Sequence, residues 1–379
     1  MKKEKRIYLD NAATTPTDKR VLGVMEKAVE IYGNPSSLHK EGVEAKKALA
    51  DARKIVADSI FAHSDEIIFT SGGTEGNNLA VFGAVGDPKG KHIVVSAIEH
   101  QSVLECVREL ERRGAEVTYL ASDEDGTVSP QSVKDVLREN TSLVSVMYAN
   151  NEIGTIEPIA EIAKVLRDSQ SHALFHTDAC QAMNYLEMNV LRLWVDLMIF
   201  NGSKIYGPKG VGALYAKRGT KLSPCIFGGG QESGLRSGTE NLASIVGFAE
   251  AVRITAEMKP NESTRLTELR DFFIHAVMSR IPQAILNGSR DNRLPNNVNF
   301  SFPGNDAEEI VIQLDARGIA ASAGSACANI SKNGEVSHVL LAIGADNSRA
   351  VSSVRFTLGR DTTKKDILLV VEELTKIVK

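Results

Sequence analysis

Two residues at successive strand ends carry the most specific chemistry in this 379-residue chain. A β-branched run, Ala173 to His176, leads into Asp178-Ala179-Cys180-Gln181. The next run, Leu197 to Phe200, leads into Asn201-Gly202-Ser203-Lys204-Ile205-Tyr206-Gly207-Pro208-Lys209-Gly210. A desolvated lysine amine can form a Schiff base, and a neighbouring carboxylate can keep a pyridine nitrogen protonated so that the ring accepts electrons. An ordinary salt bridge would use the same two residue types. A third reactive group is a thiol: Cys327 sits in Ala321-Ser322-Ala323-Gly324-Ser325-Ala326-Cys327-Ala328-Asn329, bounded by Lys332-Asn333-Gly334. Side chains this small give a loop little to anchor it in a core, so the expectation is a displayed, mobile thiol suited to a travelling nucleophile. Cys106, at helical spacing from Val103 and Leu110, and Cys225, between a Pro and a Gly run, read as structural. Cys180 stays open, close to Asp178 but without a small-residue neighbourhood.

Three further strand ends are rich in functional groups. After Glu66 to Thr70 comes Ser71-Gly72-Gly73-Thr74-Glu75-Gly76-Asn77-Asn78, a turn into a helix whose free N–H groups could hold a phosphate, although it lacks the G-x-x-x-x-G-K-[ST] pattern. After His92 to Ser96 comes Glu99-His100, and after Leu143 to Tyr148 comes Asn150-Asn151-Glu152-Ile153-Gly154. Histidines and paired asparagines also serve ordinary structural and turn roles. What sets these apart is a shared sheet edge, because ligands of open α/β sheets sit beyond the carboxyl ends of the strands.

The elements that must position these groups follow from periodicity. Amphipathic helices alternate with short β-branched strands over residues 17 to 250, which reads as α/β with a mainly parallel sheet. Val21 to Ile31 is a helix with Thr17 as its expected cap, and Val43 to Val56 repeats the period. A strand is also expected at Val117 to Leu120. The polar stretch Met258-Lys259-Pro260-Asn261-Glu262-Ser263-Thr264 marks an expected domain boundary. Beyond it lie an expected strand at Asn297 to Ser301, a helix at Ala307 to Arg317, a strand at Val351 to Thr357 and a closing helix with Thr363 near its start.

Composition closes off several functions. The chain is 42% hydrophobic and 24% charged, an ordinary soluble balance. Forty-four Lys and Arg against 48 Asp and Glu leave a formal charge of −4, no footprint for nucleic acid or a membrane surface. The basic start Met1-Lys2-Lys3-Glu4-Lys5-Arg6 lacks an apolar core, so no signal peptide is expected. Four scattered cysteines match no metal-ligand or staple spacing, and the expected compartment is a reducing cytoplasm.

With these segments in order, the chain resembles the cysteine desulfurases of the NifS/IscS type, in the class-V aminotransferase family of pyridoxal-phosphate enzymes. The resemblance covers nearly the whole length. It rests on Tyr8-Leu9-Asp10-Asn11-Ala12-Ala13-Thr14-Thr15-Pro16, Gly33-Asn34-Pro35-Ser36-Ser37-Leu38-His39, Thr70 to Asn78, Glu99-His100, Asn150 to Gly154, Asp178 with Gln181, and Lys204 to Gly210. It continues through Gly228-Gly229-Gly230-Gln231-Glu232, Arg236-Ser237-Gly238-Thr239-Glu240-Asn241, the Cys327 loop and Ser353-Val354-Arg355-Phe356.

The resemblance implies an aspartate-aminotransferase-like fold (fold type I). A large domain over 15–257 would carry a mainly parallel seven-stranded sheet, and a smaller α+β domain over 1–14 and 258–379 would carry the cysteine loop. It implies that Lys204 forms the Schiff base with pyridoxal phosphate, Asp178 pairs with the ring nitrogen, Gln181 contacts the ring hydroxyl, and His100 stacks on the ring and assists proton transfer. Gly73 and Thr74 would bind the phosphate, joined by Thr239 from the partner of a homodimer. Asn34, Asn151 and Arg355 would hold the substrate carboxylate, for which an arginine fork is suited. Cys327 would take sulfur from L-cysteine as a persulfide, releasing alanine, and a protein acceptor would carry the sulfur on to cluster assembly, tRNA thiolation or another pathway. A selenocysteine or cysteine-sulfinate lyase on the same fold is the enzymatic alternative, and a scaffold without catalysis is the other.

The chain departs from the family pattern at a few positions. Asn201 and Ser203 stand where the family usually has Ser and His, and both can still hydrogen-bond a phosphate. Cys180 replaces an aliphatic residue or Thr, Ser233 a commonly basic one, and the loop after Cys327 is slightly longer.

Overall fold

A computed structural model describes residues 6–324 and 336–378. The strands are β1 (Ile7–Tyr8), β2 (Ile67–Thr70), β3 (His92–Ser96), β4 (Glu116–Leu120), β5 (Thr141–Ser145), β6 (Leu174–Asp178), β7 (Leu197–Asn201), β8 (Gly212–Ala216), β9 (Ile285–Leu286), β10 (Asn297–Ser301), β11 (Ile319–Ala320), β12 (Ser322–Ala323) and β13 (Ser353–Thr357). The helices are α1 (Lys19–Val29), α2 (Lys40–Ser59), α3 (Gly73–Val85), α4 (Gln101–Arg112), α5 (Pro130–Val136), α6 (Ile159–Asp168), α7 (Val190–Leu193), α8 (Leu242–Arg280), α9 (Ala307–Ala316), α10 (His338–Ala342), α11 (Asn347–Val351) and α12 (Lys364–Ile377).

Seven strands form one sheet in the order β2-β8-β7-β6-β5-β3-β4. It is parallel except for β8, which runs antiparallel to both β2 and β7. Every residue of β3 and β7 is buried, which is why these strands read as continuous apolar runs, as strands covered on both faces do. The β2 edge is finished by side chains. Glu232 accepts from the Phe69 amide at 2.8 Å, Arg53 donates to the Ile67 carbonyl at 2.7 Å, and the two side chains pair bidentately with each other at 2.6 and 2.7 Å.

The second unit is the four-stranded sheet β12-β13-β10-β9, packed with α9, α12 and the second half of α8 around Phe273, Phe300 and Phe356. Ile7 and Leu9 belong to this core, because β1 pairs with β11. The N-terminal segment therefore spans both units. Among the described residues, no helix is long and apolar enough to cross a membrane.

The expected boundary at 258–264 lies inside a helix, and two expectations about element ends are corrected. Helix α8 runs 39 residues, about 58 Å at 1.5 Å per residue, with Pro260 inside it. Pro260 and Ala256 are both exposed, so the carbonyl that loses its N–H partner faces water. The first half of the helix packs on the large core through Phe248 and Val252, and the second half packs on the small one through Leu266 and Phe273. Helix α1 is capped by Asp18, which accepts from the Arg20 amide, instead of by Thr17. Ladder β5 ends at Ser145, three residues short of the expected Tyr148, and β8 had no counterpart in the sequence reading.

Candidate functional site

A cleft of about 390 Å³ opens at the carboxyl ends of β3, β5, β6 and β7 and is lined by Gly73, Thr74, His100, Asn151, Asp178, Gln181, Asn201, Ser203 and Lys204. A second lobe of about 130 Å³ adjoins it, where Arg355 and His338 meet His100, Asn151, Gln181 and Lys204. Ten expected positions, nine from five separate strand ends and Arg355 from the middle of β13, thus converge on one place.

One end of the cleft is the start of α3. Gly72 has a φ of 150°, a conformation few side chains tolerate. A Cβ on Gly73 would lie 2.9 Å from Cys180 Sγ and 3.0 Å from Asn201 Nδ2, so only glycine leaves that cradle open. The Asn201 amide donates to Cys180 Sγ at 3.3 Å and accepts from Ser203 Oγ at 3.1 Å. Free helical N–H groups beside an amide and a hydroxyl are a suitable phosphate seat.

At the centre, Asp178 ends β6, 6% exposed, and accepts from the Cys180 amide at 2.9 Å and from Asn77 Nδ2 at 2.7 Å. Asn77 also donates to Ser102 Oγ at 2.9 Å. His100 caps α4 and faces Ser102 through Nδ1. Burial holds its pKa below the usual histidine value; the Asp178 charge opposes that shift and Lys204 adds to it. Burial and Asp178 push the Cys180 thiol well up, so it is no thiolate.

The N-terminal segment closes over the lysine. Lys204 Nζ donates to the Ala13 carbonyl at 2.5 Å, Gln181 to the Ala12 carbonyl at 3.0 Å, and Lys209 to the Thr15 carbonyl at 2.9 Å. Asn184 holds the Lys204 carbonyl at 2.7 Å. In the second lobe, Arg355 is 2% exposed, with Nη2 on Asp10 at 2.9 Å and Nη1 on the Asn151 carbonyl at 3.0 Å; its buried Nε has no hydrogen-bond partner among the described residues.

The remaining expected residues lie elsewhere. Asn34 and Thr239 are exposed and line neither lobe, and Asn34 caps its own turn by accepting from the Ser36 amide at 2.9 Å. Cys327 lies outside the described residues. Sequence reasoning missed Asn77, Ser102, Asp10 and His338. The signal that could have found Asn77 and Ser102 is position, within the first two turns of a helix leaving a functional strand end. The cradle at Gly73, the carboxylate of Asp178 and the amine of Lys204 fit an aromatic cofactor with a phosphate arm.

The profile of the family described as Aminotransferase class-V matches residues 7–370. A cysteine desulfurase IscS of Dictyoglomus turgidum is 49% identical over 381 residues, covering 100% of this chain and 95% of that protein. Among solved structures, a NifS-like protein matches with a TM-score of 0.91 at 34% identity, covering 98% of this chain and 99% of that one. Another, described as SspA in complex with cysteine, matches with a TM-score of 0.82 at 37% identity, covering 93% and 99%. A match over nearly the whole chain, on a fold whose cleft suits pyridoxal phosphate, has one reading: the chain belongs to the class-V aminotransferase family, in its cysteine desulfurase branch of the NifS/IscS type.

Proposed function

We propose that the cleft takes sulfur from L-cysteine and leaves it as a persulfide on Cys327. The observation that carries this reading is the meeting of Lys204, Asp178 and Gln181 in one lobe with the buried fork of Arg355 in the next. Gly73, Thr74, Asn201 and Ser203 would hold the phosphate of pyridoxal phosphate, Asp178 its ring nitrogen and Gln181 its ring hydroxyl, with His100 against the ring. When bound, the cofactor supplies an electron sink for charge developing at Cα of an amino acid.

The chain's own residues then have defined tasks. Arg355 and Asn151 orient the substrate carboxylate, work to which a guanidinium fork is suited. Lys204 Nζ takes the proton from Cα. The Cys327 thiolate attacks the substrate sulfur. An S–S bond forms, the C–S electron pair stays with the substrate carbon, and that carbon gains a proton on its way to alanine.

We assign Asn34 to the carboxylate and Thr239 to the phosphate across a homodimer; the support is the exposure of both in the single chain. A protein acceptor serving iron–sulfur cluster assembly or tRNA thiolation, in the cytoplasm, completes the reading. The division into units of 15–257 and of 1–14 with 258–379 rests on the separate cores.

The test is the absorbance of the purified protein before and after L-cysteine, with sulfide and alanine release followed together. Cys327→Ala is expected to keep the cofactor band and lose at least about a hundredfold in sulfide release, and Lys204→Ala to lose both. Full sulfide release by Cys327→Ala overturns the assignment. Sedimentation of the holoenzyme as a monomer would remove Thr239 from the site.

A further inference from the structure

The hydrogen bonds around His100 have only one consistent set of proton positions. The Ser102 backbone N–H can only donate, and it points at His100 Nδ1 from 3.1 Å. That nitrogen is therefore an acceptor and carries no proton. Ser102 Oγ lies 2.8 Å from the same Nδ1. A nitrogen without a proton cannot donate, so the hydroxyl is the donor in that contact, and Asn77 holds the hydroxyl from its other side. The Asn77 amide sends one proton to Asp178 Oδ2 at 2.7 Å and the other to Ser102 Oγ at 2.9 Å. The opposite orientation would set Asn77 Oδ1 against a carboxylate oxygen, and Asn77 Oδ1 is instead a buried atom without a partner among the described residues. Ser102 Oγ therefore gives its single proton to His100 Nδ1 and takes the Asn77 amide on one of its two lone pairs.

We propose that Ser102 and Asn77 are positioning residues for the reaction, which hold His100 as the neutral Nε2–H tautomer and tie that choice to Asp178. His100 lines both lobes, and Nε2 is the ring nitrogen that remains for the cleft. It enters as a hydrogen-bond donor. Adding a proton at Nδ1 would turn that atom toward the Ser102 N–H, so neither imidazolium nor the Nδ1–H form is compatible with the cap of α4. A net proton at Cα is then left to Lys204. Among the described residues, the ionisable groups that act on the ring are Asp178 from β6, Glu152 after β5, Lys204 after β7 and His338 on α10. Asp178 and Glu152 favour imidazolium, so the lock works against them. Burial, together with Lys204 and His338, works with it.

This proposal rests on the desulfurase reading only for its bearing on the chemistry. The test is nitrogen NMR of the ¹⁵N-histidine-labelled holoenzyme without substrate, with His100→Gln used to assign the signal. The expected result is an unprotonated Nδ1 and a protonated Nε2 at neutral pH. In Ser102→Ala the midpoint for protonating this ring rises by roughly half to one unit, the worth of one ordinary hydrogen bond. The acid limb of kcat against pH moves with it. Ser102→Thr, which keeps the hydroxyl, restores the original midpoint. A proton on Nδ1 in the unaltered holoenzyme overturns the proposal even if no variant folds, and so does an unmoved midpoint in a folded Ser102→Ala. Read without substrate, the spectrum decides the tautomer whether or not L-cysteine is turned over.

Discussion

His176 lies on β6 two residues before Asp178, fully buried, with Nδ1 on Ser145 Oγ at 2.8 Å. Burial pulls its pKa down from the usual 6.5 to about 4. Between these values the unfolded chain takes up a proton that the folded one refuses. Its contribution to stability is therefore complete above pH 6.5 and is lost as the pH falls toward 4, by up to roughly 3 kcal/mol. Denaturant titrations at pH 7 and pH 5 should show this slope, and His176→Gln should flatten it. At Gly73 the constraint is space. Gly73→Ala would push on Cys180 and Asn201, so cofactor retention through gel filtration should fall several-fold while the far-UV spectrum is unchanged. Lys204, Asp178 and Gln181 were legible in the sequence because each lies at or just past a strand end inside an ordered motif. Asn77 and Ser102 were not, because each acts through another side chain and neither residue type is distinctive inside a helix.

Among the elements, the strands of the large sheet and the site-bearing turns were largely readable, since fully buried strands declare themselves as apolar runs between small residues. Helix α8 was not. A proline inside a polar stretch is the usual mark of a boundary, and only the packing of Leu266, Phe273 and Val277 on the second core carries the helix past it. Propensity here lost to tertiary burial. Pro260 is exposed, so Pro260→Ala should supply the missing N–H without a clash. It should stabilise the protein by about 1–3 kcal/mol in a denaturant titration, with a small effect on turnover. The alternative ending of β5 has a similar cause. Val146 and Tyr148 still donate to the His176 and Asp178 carbonyls at 3.1 and 2.9 Å, so their burial pattern matches a strand although the ladder has stopped.

At the scale of the molecule, two cores share one cleft, and the segment from Ile7 to Thr15 joins them: Ile7 and Leu9 sit in the small core, while Ala12, Ala13 and Thr15 accept from Gln181, Lys204 and Lys209. Arg355, on β13 of the small sheet, reaches Asn151 of the large unit and Asp10 of this segment. The large unit has its own long-range tie in the Arg53–Glu232 pair. Glu232→Ala would leave Arg53 without its carboxylate and the Phe69 amide without an acceptor, and should cost about 2–4 kcal/mol by chemical denaturation. That pair also has a bearing on how the protein behaves in a crowded solution. Its guanidinium and carboxylate occupy the outward carbonyl of Ile67 and the outward amide of Phe69, where another polypeptide would otherwise dock in extended form. One flank of the large sheet is thereby denied to strand exchange and to edge-wise aggregation. Any partner that recognises this sheet by lengthening it has to come to β4, whose residues are mostly part-exposed, at the opposite flank.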